Sequence, residues 1–580
     1  MKKLLNSILL FLMVFAAEAA KKTNVIIILS DDQGYGDFSC HGNPILKTPA
    51  LDNLHDQSVR FSNFHVSPLS TPTRSQLLTG IDAMHNKAST VLSGCCRMDR
   101  NLLTMPEVFS QNGYKTGIFG KWHLGDNYPD RPMDHGFDKC LWIKGWGLMS
   151  EMEFDNDYYK TRYMDSLTII QSNEYCTDLW FQKSMEWMEE MHDKGEVFFT
   201  YLALNAPHGP FYAPREDFMS YCKNLDEKTA SFFGMIQNID KNVGKLMQWL
   251  EIKGMAKNTI VIFMNDNGGT GGIQVYNANM RGAKGDIYDG GHRAACFIHW
   301  AGGNLGEPRT IDYPSEVQDI FPTLIDLLEL NIDPQYRFDG ISLKPVLLNQ
   351  TGTDRMFIVQ QGTHVNPAKY NSCIVWNNWR LVGKDELYDI TTDAGQLTNL
   401  AQQRPEIVSQ MKAYYENWWL TVYSANAKYI PLVVGDPASN PVILSSSDWI
   451  GAGPNTQWDI ALAKDEPNGY WVIDAKVGGK YRIELSRWPF HLNRSLTVMG
   501  PSMTVGGTSI RPGKALAIVS GCVSLNSKNP VEAVSQTIDA TKITIEMDIP
   551  AGLNTLKAFF KDKEGNYICG AYYVKIEKVF

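Results

Sequence analysis

Val25–Leu29 reads Val-Ile-Ile-Ile-Leu, an unbroken β-branched and apolar run with no polar alternation. Such a run suits a strand covered on both faces, the situation inside a parallel sheet rather than at an antiparallel surface. Three more runs of this kind follow at Lys115–Phe119, Val197–Leu204 and Thr259–Met264. Between them lie segments with helical spacing: Leu46–Ser58, Pro72–Thr79, Met105–Gln111, Cys176–His192 and Ala230–Leu250. Pro72 suits a first helical turn and Gly80 a stop. The alternation from Asn24 to about Leu348 predicts an α/β fold, a mostly parallel sheet sandwiched by helices.

The texture then changes. Met356 to Tyr388 reads as short strands with tight turns, and Pro405–Trp419 carries Ile407, Met411, Tyr414 and Trp418 at helical spacing. Beyond Lys428, Tyr470–Ala475, Lys480–Leu485, Ala515–Val519, Lys542–Met547 and Ala571–Ile576 alternate with turn residues, the rhythm of a β-sandwich. At the other end, Lys2 and Lys3 precede an apolar run closed by Ala17-Glu18-Ala19, which reads as a secretory leader. The division expected is a leader at 1–19, an α/β catalytic domain at 20–348, a small antiparallel C-terminal subdomain at 349–428 and an additional all-β domain at 429–580.

The leader points to export, to the periplasm or the medium. No second long apolar stretch follows, which argues against stable membrane insertion. A net charge of −9 gives no reason to expect nucleic acid as a partner. The ten cysteines are scattered without a CxxC pair, so neither a zinc ribbon nor a disulfide scaffold is expected, although one or two disulfides stay open.

The strand ends carry the chemistry. Val25–Leu29 runs into Ser30-Asp31-Asp32, Lys115–Phe119 into Gly120-Lys121-Trp122-His123, Val197–Leu204 into Asn205-Ala206-Pro207-His208, and Thr259–Met264 into Asn265-Asp266-Asn267-Gly268. Ligands of open parallel sheets bind beyond the carboxyl ends of the strands. If these strands are neighbours, carboxylates, amides, a lysine and two histidines meet on one rim. Singly, each has a plainer reading: Asp31-Asp32 as a solvated turn or cap, Asp266-Asn267-Gly268 as a β-turn, Lys121 as a surface residue. Together, three carboxylates and an amide form an oxygen set suited to calcium rather than zinc. Ser70-Thr71-Pro72-Thr73-Arg74 opens a helix whose free N–H groups suit an anion, with Arg74 as a permanent charge; the alternative is a capped helix with a surface arginine.

Pro68 to Gly80 (Pro-Leu-Ser-Thr-Pro-Thr-Arg-Ser-Gln-Leu-Leu-Thr-Gly) resembles the signature of the type I, formylglycine-dependent sulfatases of the alkaline-phosphatase-like superfamily. Gly113–Gly125, Asn205–His208, Asp266–Gly268, Arg281–Gly285, Glu386–Asp389 and Asn399–Ala401 are similar to later blocks of that family, in the same order. The resemblance covers roughly residues 24–420 and is to arylsulfatase-like bacterial carbohydrate sulfatases. It implies that a maturation enzyme converts Ser70 to formylglycine. It implies one Ca2+ per site, held by Asp31, Asp32, Asp266, Asn267 and the modified Ser70. It further implies that Arg74, Lys121, His123, His208 and Lys284 bind sulfate and move protons, with His208 protonating the leaving alkoxide and His123 taking a hydroxyl proton.

The substrate implied is a sulfated carbohydrate, from mucin, glycosaminoglycan or algal polysaccharide. Asp126, Arg131 and His292 are candidates for contacts to sugar hydroxyls; a loop salt bridge or a solvated side chain is the competing reading for each. Trp142 and Trp146 read either as a stacking face or as core, and Trp449, Trp458, Trp471 and Trp488 either as a glycan-stacking module or as the interior of a domain bordering the cleft. Two other functions stay open at this level: a phosphomonoesterase or phosphonate hydrolase using unmodified Ser70, and a non-catalytic glycan-binding relative.

Overall fold

The computed structural model describes residues 22–579 except 151, 153–155, 363–366, 426–428, 452–453, 455, 464–467, 506–507 and 511. The expected leader at 1–19 lies outside the described residues. Five parallel strands form the middle of a ten-stranded sheet: β1 (Asn24–Ser30), β2 (Lys115–Lys121), β3 (Lys139–Ile143), β4 (Phe198–Ala203) and β5 (Thr259–Asn265). Their spatial order is β5-β1-β4-β2-β3, and β6 (Cys296–His299) lies antiparallel beside β5. Register pairs Ser30 with Asn265, Leu29 with Ala203 and Gly120 with Ala203, so the strands finish at one level. The fold is α/β with a mostly parallel central sheet.

The helices are α1 (Ser70–Thr79), α2 (Met105–Gln111), α3 (Cys176–Asp193), α4 (Glu227–Ile252) and α5 (Pro405–Ala425). Alternate residues of β1 serve two cores. Val25, Ile27 and Leu29 pack with Leu77, Leu78, Val108 and Phe109 on one side. Ile26 and Ile28 pack with Leu179, Trp180, Ile239 and Val243 on the other. Each such side chain contributes roughly 1.5–3 kcal/mol on burial, which accounts for the unbroken apolar run. Helix α4 starts before Ala230 because Asp226 caps it, accepting the Thr229 N–H at 3.1 Å.

A four-stranded antiparallel sheet (Met356–Gln360, Ser372–Trp376, Trp379–Val382, Glu386–Asp389) packs against α5 through Met411 and Tyr415. From Leu432 onward two further sheets share one core, sandwich-fashion. The strand expected at 515–519 forms instead at Ser520–Leu525. Upstream, the Lys514 and Leu516 N–H groups donate to Ala461 O and Thr497 O, in loops rather than a ladder. Trp449, Trp471 and Trp488 are fully buried in this core, which takes all three away from glycan stacking. Eight of the ten cysteines are buried.

Candidate active site

The strand ends are stitched to one another. The Asp31 N–H donates to Ala206 O and the Asp266 N–H to Ser30 O, both at 3.0 Å. Asp32 lies in the left-handed region at φ 69°, uncommon for a residue with a side chain. Its N–H is held by Asp266 Oδ1 at 3.0 Å. The following turn passes so close to residues 290–291 that a Cβ on Gly268 would lie 2.1 Å from Gly290 O.

Helix α1 enters this rim with all ten of its residues buried. Ser70 is its first residue, and its Oγ lies 3.1 Å from both Asp31 Oδ1 and Asn267 Oδ1. Pro72 costs nothing in the first turn, where an N–H has no intrahelical acceptor. One turn on, Arg74 donates to Asp266 Oδ2 at 3.0 Å and lies 3.6 Å from Asp31 Oδ2. Lys121 Nζ meets Asp31 Oδ2 at 2.5 Å, and Lys284 Nζ meets Asp32 Oδ1 at the same distance. Lys284 is brought here by its own N–H on Gly269 O and by the Gly285 N–H on Pro68 O. His208 Nδ1 is 2.8 Å from the Gly209 carbonyl, which places a proton there and turns Nε2 toward Asp32 Oδ2, 3.8 Å away. His123 is buried, at φ 62°, and neither ring nitrogen has a partner. Buried polar atoms without partners are rare, and here they lie beside three cations.

Charge organises the site. Burial pushes the Asp31 carboxyl up, but Lys121, His208 and Arg74 outweigh it and hold the group below its ordinary value. Burial likewise raises Asp32, and Lys284 with His208 brings it down further. Lys284 is raised, because the Asp32, Asp31 and Asp266 charges outweigh its desolvation. His123 is driven well below the ordinary histidine value, first by burial and then by Lys121 and Arg74. His208 is lowered mainly by burial. The oxygens of Asp31, Asp32, Asp266, Asn267 and Ser70 form an all-oxygen donor set that fits a hard divalent cation.

All of the residues expected to bind sulfate or metal thus meet around Ser70. The three candidate sugar contacts do not share one place. Asp126 lies on a cleft next to His123 and accepts the Gly145 N–H on both oxygens, at 3.0 and 2.9 Å. Arg131 is not brought to the cup; it makes a bidentate pair with Asp134 at 2.8 and 2.9 Å. His292 is fully buried, with Nδ1 2.8 Å from His65 Nδ1 and Nε2 3.3 Å from Ile287 O. Both of its nitrogens are engaged inside the protein, so it belongs to the buried His65–Asp289–Arg380 network and not to the rim. His292→Ala is therefore expected to cost about 1–3 kcal/mol of unfolding free energy, by stranding His65 Nδ1. Relative rates on different substrates should stay unchanged; denaturant unfolding and a substrate panel check both.

Two further neighbours border the cup: Asn205, read only as part of a strand end, and Trp146, read either as a stacking face or as core. Asn205 Oδ1 accepts the Trp180 Nε1–H at 3.1 Å, which leaves its buried Nδ2 without a partner beside Lys121. Trp146 packs its ring 5.5 Å from His208. Asn205 was legible only as the first residue after a strand; nothing in the sequence pairs Trp146 with His208.

The chain is similar to mouse arylsulfatase J, 30% identical over 341 residues that span 55% of each chain. It is 27% identical to rat N-acetylgalactosamine-6-sulfatase over 395 residues, 62% of this chain and 72% of the relative. The fold matches a crystal structure of Ps i-CgsB in complex with k-i-k-neocarrahexaose at a TM-score of 0.63 and 24% identity, covering 68% of this chain and 92% of the other. It also matches, at a TM-score of 0.56 and 20% identity, a protein solved with its substrate D-glucosamine-2-N,6-O-disulfate, covering 70% and 100%. The sulfatase profile matches residues 23–330, more than half the chain, with Ser70, both aspartates, Lys121 and Lys284 inside the match, and the chain belongs to the sulfatase family.

Proposed function

We propose that this protein is an exported hydrolase of carbohydrate sulfate esters. Ser70, converted to formylglycine by a maturation enzyme, is its nucleophile, and calcium is held by Asp31, Asp32, Asp266, Asn267 and residue 70. The observation that carries this reading is the cup itself: Arg74, Lys121 and Lys284 converge on Ser70 with buried carboxylates behind them. A sulfate ester resists attack until the charge on its oxygens is offset, and fixed cations in a water-poor site do this where charge develops. Bound calcium would add positive charge against the same oxygens. A plain serine hydroxyl is a weak nucleophile at neutral pH; an aldehyde hydrate at this position offers an oxygen in the same place. His208, with Nε2 turned toward the rim, is placed to give the leaving alkoxide a proton from its doubly protonated form, returning to the neutral ring, and His123, whose ring nitrogens are unpartnered, is placed to take the proton of the nucleophile. The mouse arylsulfatase and the rat N-acetylgalactosamine-6-sulfatase among its relatives support aryl and amino-sugar sulfates as the substrate type. Among the described residues no helix is long and apolar enough to cross a membrane.

The test is a paired assay on the sulfate and phosphate monoesters of one alcohol, using protein whose residue 70 has been shown by mass to have lost two hydrogens. Faster release of sulfate supports the proposal. Faster release of phosphate, or turnover by unmodified serine, supports a phosphatase instead.

A further inference from the structure

The segment that follows Asp31 and Asp32 carries a second set of metal-ligating side chains, of a different kind. Cys40 and His41 stand in a single helical turn, Ser39–His41. His55 is in the last turn of the short helix Pro49–Asp56. Cys40 Sγ and one ring nitrogen from each histidine all lie within 4.8 Å of one another. The three residues are partly buried, so they remain open to an ion from solvent.

The surrounding structure holds them together. Asp52 Oδ1 accepts the Cys40 N–H at 2.9 Å and the Thr48 hydroxyl at 3.0 Å, and Asp52 Oδ2 accepts the Ser39 hydroxyl at 2.6 Å. These bonds tie the turn to the helix that bears His55. Phe297, buried on β6, takes both imidazoles edge-on, with ring centroids 5.7 Å from His41 and 5.3 Å from His55.

The two histidines are also oriented as metal ligands are. His41 Nδ1 is 2.7 Å from the Tyr35 carbonyl oxygen, and His55 Nδ1 is 2.8 Å from Asp56 Oδ1. Each Nδ1 therefore carries its proton toward an oxygen, and Nε2 is left with the lone pair. Among the described residues neither Nε2 has a hydrogen-bond partner. A ligating histidine almost always gives its other N–H to a carbonyl or a carboxylate in this way.

Two imidazoles and a thiolate suit zinc, in contrast to the all-oxygen set around Ser70. Zinc bonds of about 2.0–2.1 Å to nitrogen and about 2.3 Å to sulfur place tetrahedral donors roughly 3.3–3.6 Å apart, a closure that side-chain rotation supplies. Burial pushes the His41 imidazole down to about 4, which keeps it a neutral donor at pH 7. Burial and Asp52 push the Cys40 thiol up. Zinc binding there breaks the S–H bond, releases the proton to solvent and forms the S–Zn bond. Three protein ligands leave the fourth tetrahedral position to water.

We propose that Cys40, His41 and His55 form a zinc site, separate from the cup, that clips the turn after Asp32 to the helix Pro49–Asp56. The site shares no residue with the cup, so it stands or falls independently of the sulfatase reading.

The experiment uses the full-length protein with its thiols reduced and calcium in excess, so that the oxygen donors around Ser70 are occupied. Cobalt(II) is added as a spectroscopic substitute, and zinc is titrated against it. Wild type is expected to bind one equivalent of cobalt with a thiolate-to-cobalt charge-transfer band and the visible bands of a tetrahedral ion, all erased by one equivalent of zinc. Removing an outer partner costs about 10- to 100-fold in metal affinity, so Cys40→Ser, which removes a ligand, should weaken zinc by at least about 100-fold and abolish the charge-transfer band. His55→Gln should weaken zinc to a similar extent and serves if Cys40→Ser does not fold. Asp56→Ala leaves all three ligands in place, frees His55 Nδ1 and should weaken zinc by about 10- to 100-fold. No charge-transfer band in wild type, a band that persists in Cys40→Ser and so comes from another thiol, or zinc affinity within twofold of wild type in any variant that folds overturns the proposal.

Discussion

Ser70→Ala is expected to lower kcat/KM for an aryl sulfate by at least about 10,000-fold, the scale on which removal of a nucleophile acts. The fold should barely respond. Ser70 Oγ makes two hydrogen bonds, to Asp31 and Asn267, and losing both costs on the order of 1–3 kcal/mol. The helix it begins is held by the burial of Leu77 and Leu78 and by its stop at Gly80, none of which involves the hydroxyl. Circular dichroism and thermal melting of the variant should therefore stay close to wild type while turnover disappears. Loss of both together would instead make Ser70 a structural residue.

Arg74→Met carries the second large effect, and here stability and activity fall together. Arg74 is fully buried against Asp266 and Asp31. Removing one partner of a buried pair leaves an uncompensated charge and costs about 3–5 kcal/mol. Loss of a donor aimed at transition-state charge costs a further 100- to 1,000-fold in kcat, by order of magnitude. Arg74→Lys separates the two contributions. It keeps a positive charge near Asp266 and so should recover part of the melting temperature. A lysine lacks the planar fork that reaches two partners at once, so kcat should stay depressed. Calorimetry and steady-state kinetics on the two variants read out both quantities; full recovery of kcat by lysine would show that charge alone matters at this position.

The sheet was readable because its strands are buried on both faces, and burial leaves an unbroken apolar run that no solvent-facing strand shows. The cup was readable for the same reason, since Asp31, Lys121, His208 and Asp266 each stand just past such a run. What the sequence hid is contact between distant segments. His292 sits eight positions after Lys284 and reads as a rim residue, yet its partners are His65, 227 positions away, and the Ile287 carbonyl. Arg131 reads as a sugar contact or a loop salt bridge, and its pair with Asp134, three residues on, is the latter. The strand misplaced at 515–519 has the right side-chain pattern, but its N–H groups go to loop carbonyls, a choice set by tertiary contacts.

Modified Ser70, inside a cup of Arg74, Lys121 and Lys284, is proposed to cleave a sulfate ester from a sugar. This is tested with protein from its own host, by showing that the tryptic peptide Phe61–Arg74 has lost two hydrogens and following inorganic sulfate released from a panel of monosulfated sugars. Multiple-turnover sulfate release from at least one of them is expected, abolished in Ser70→Ala. Protein carrying the aldehyde that releases no sulfate from any member of the panel would contradict it.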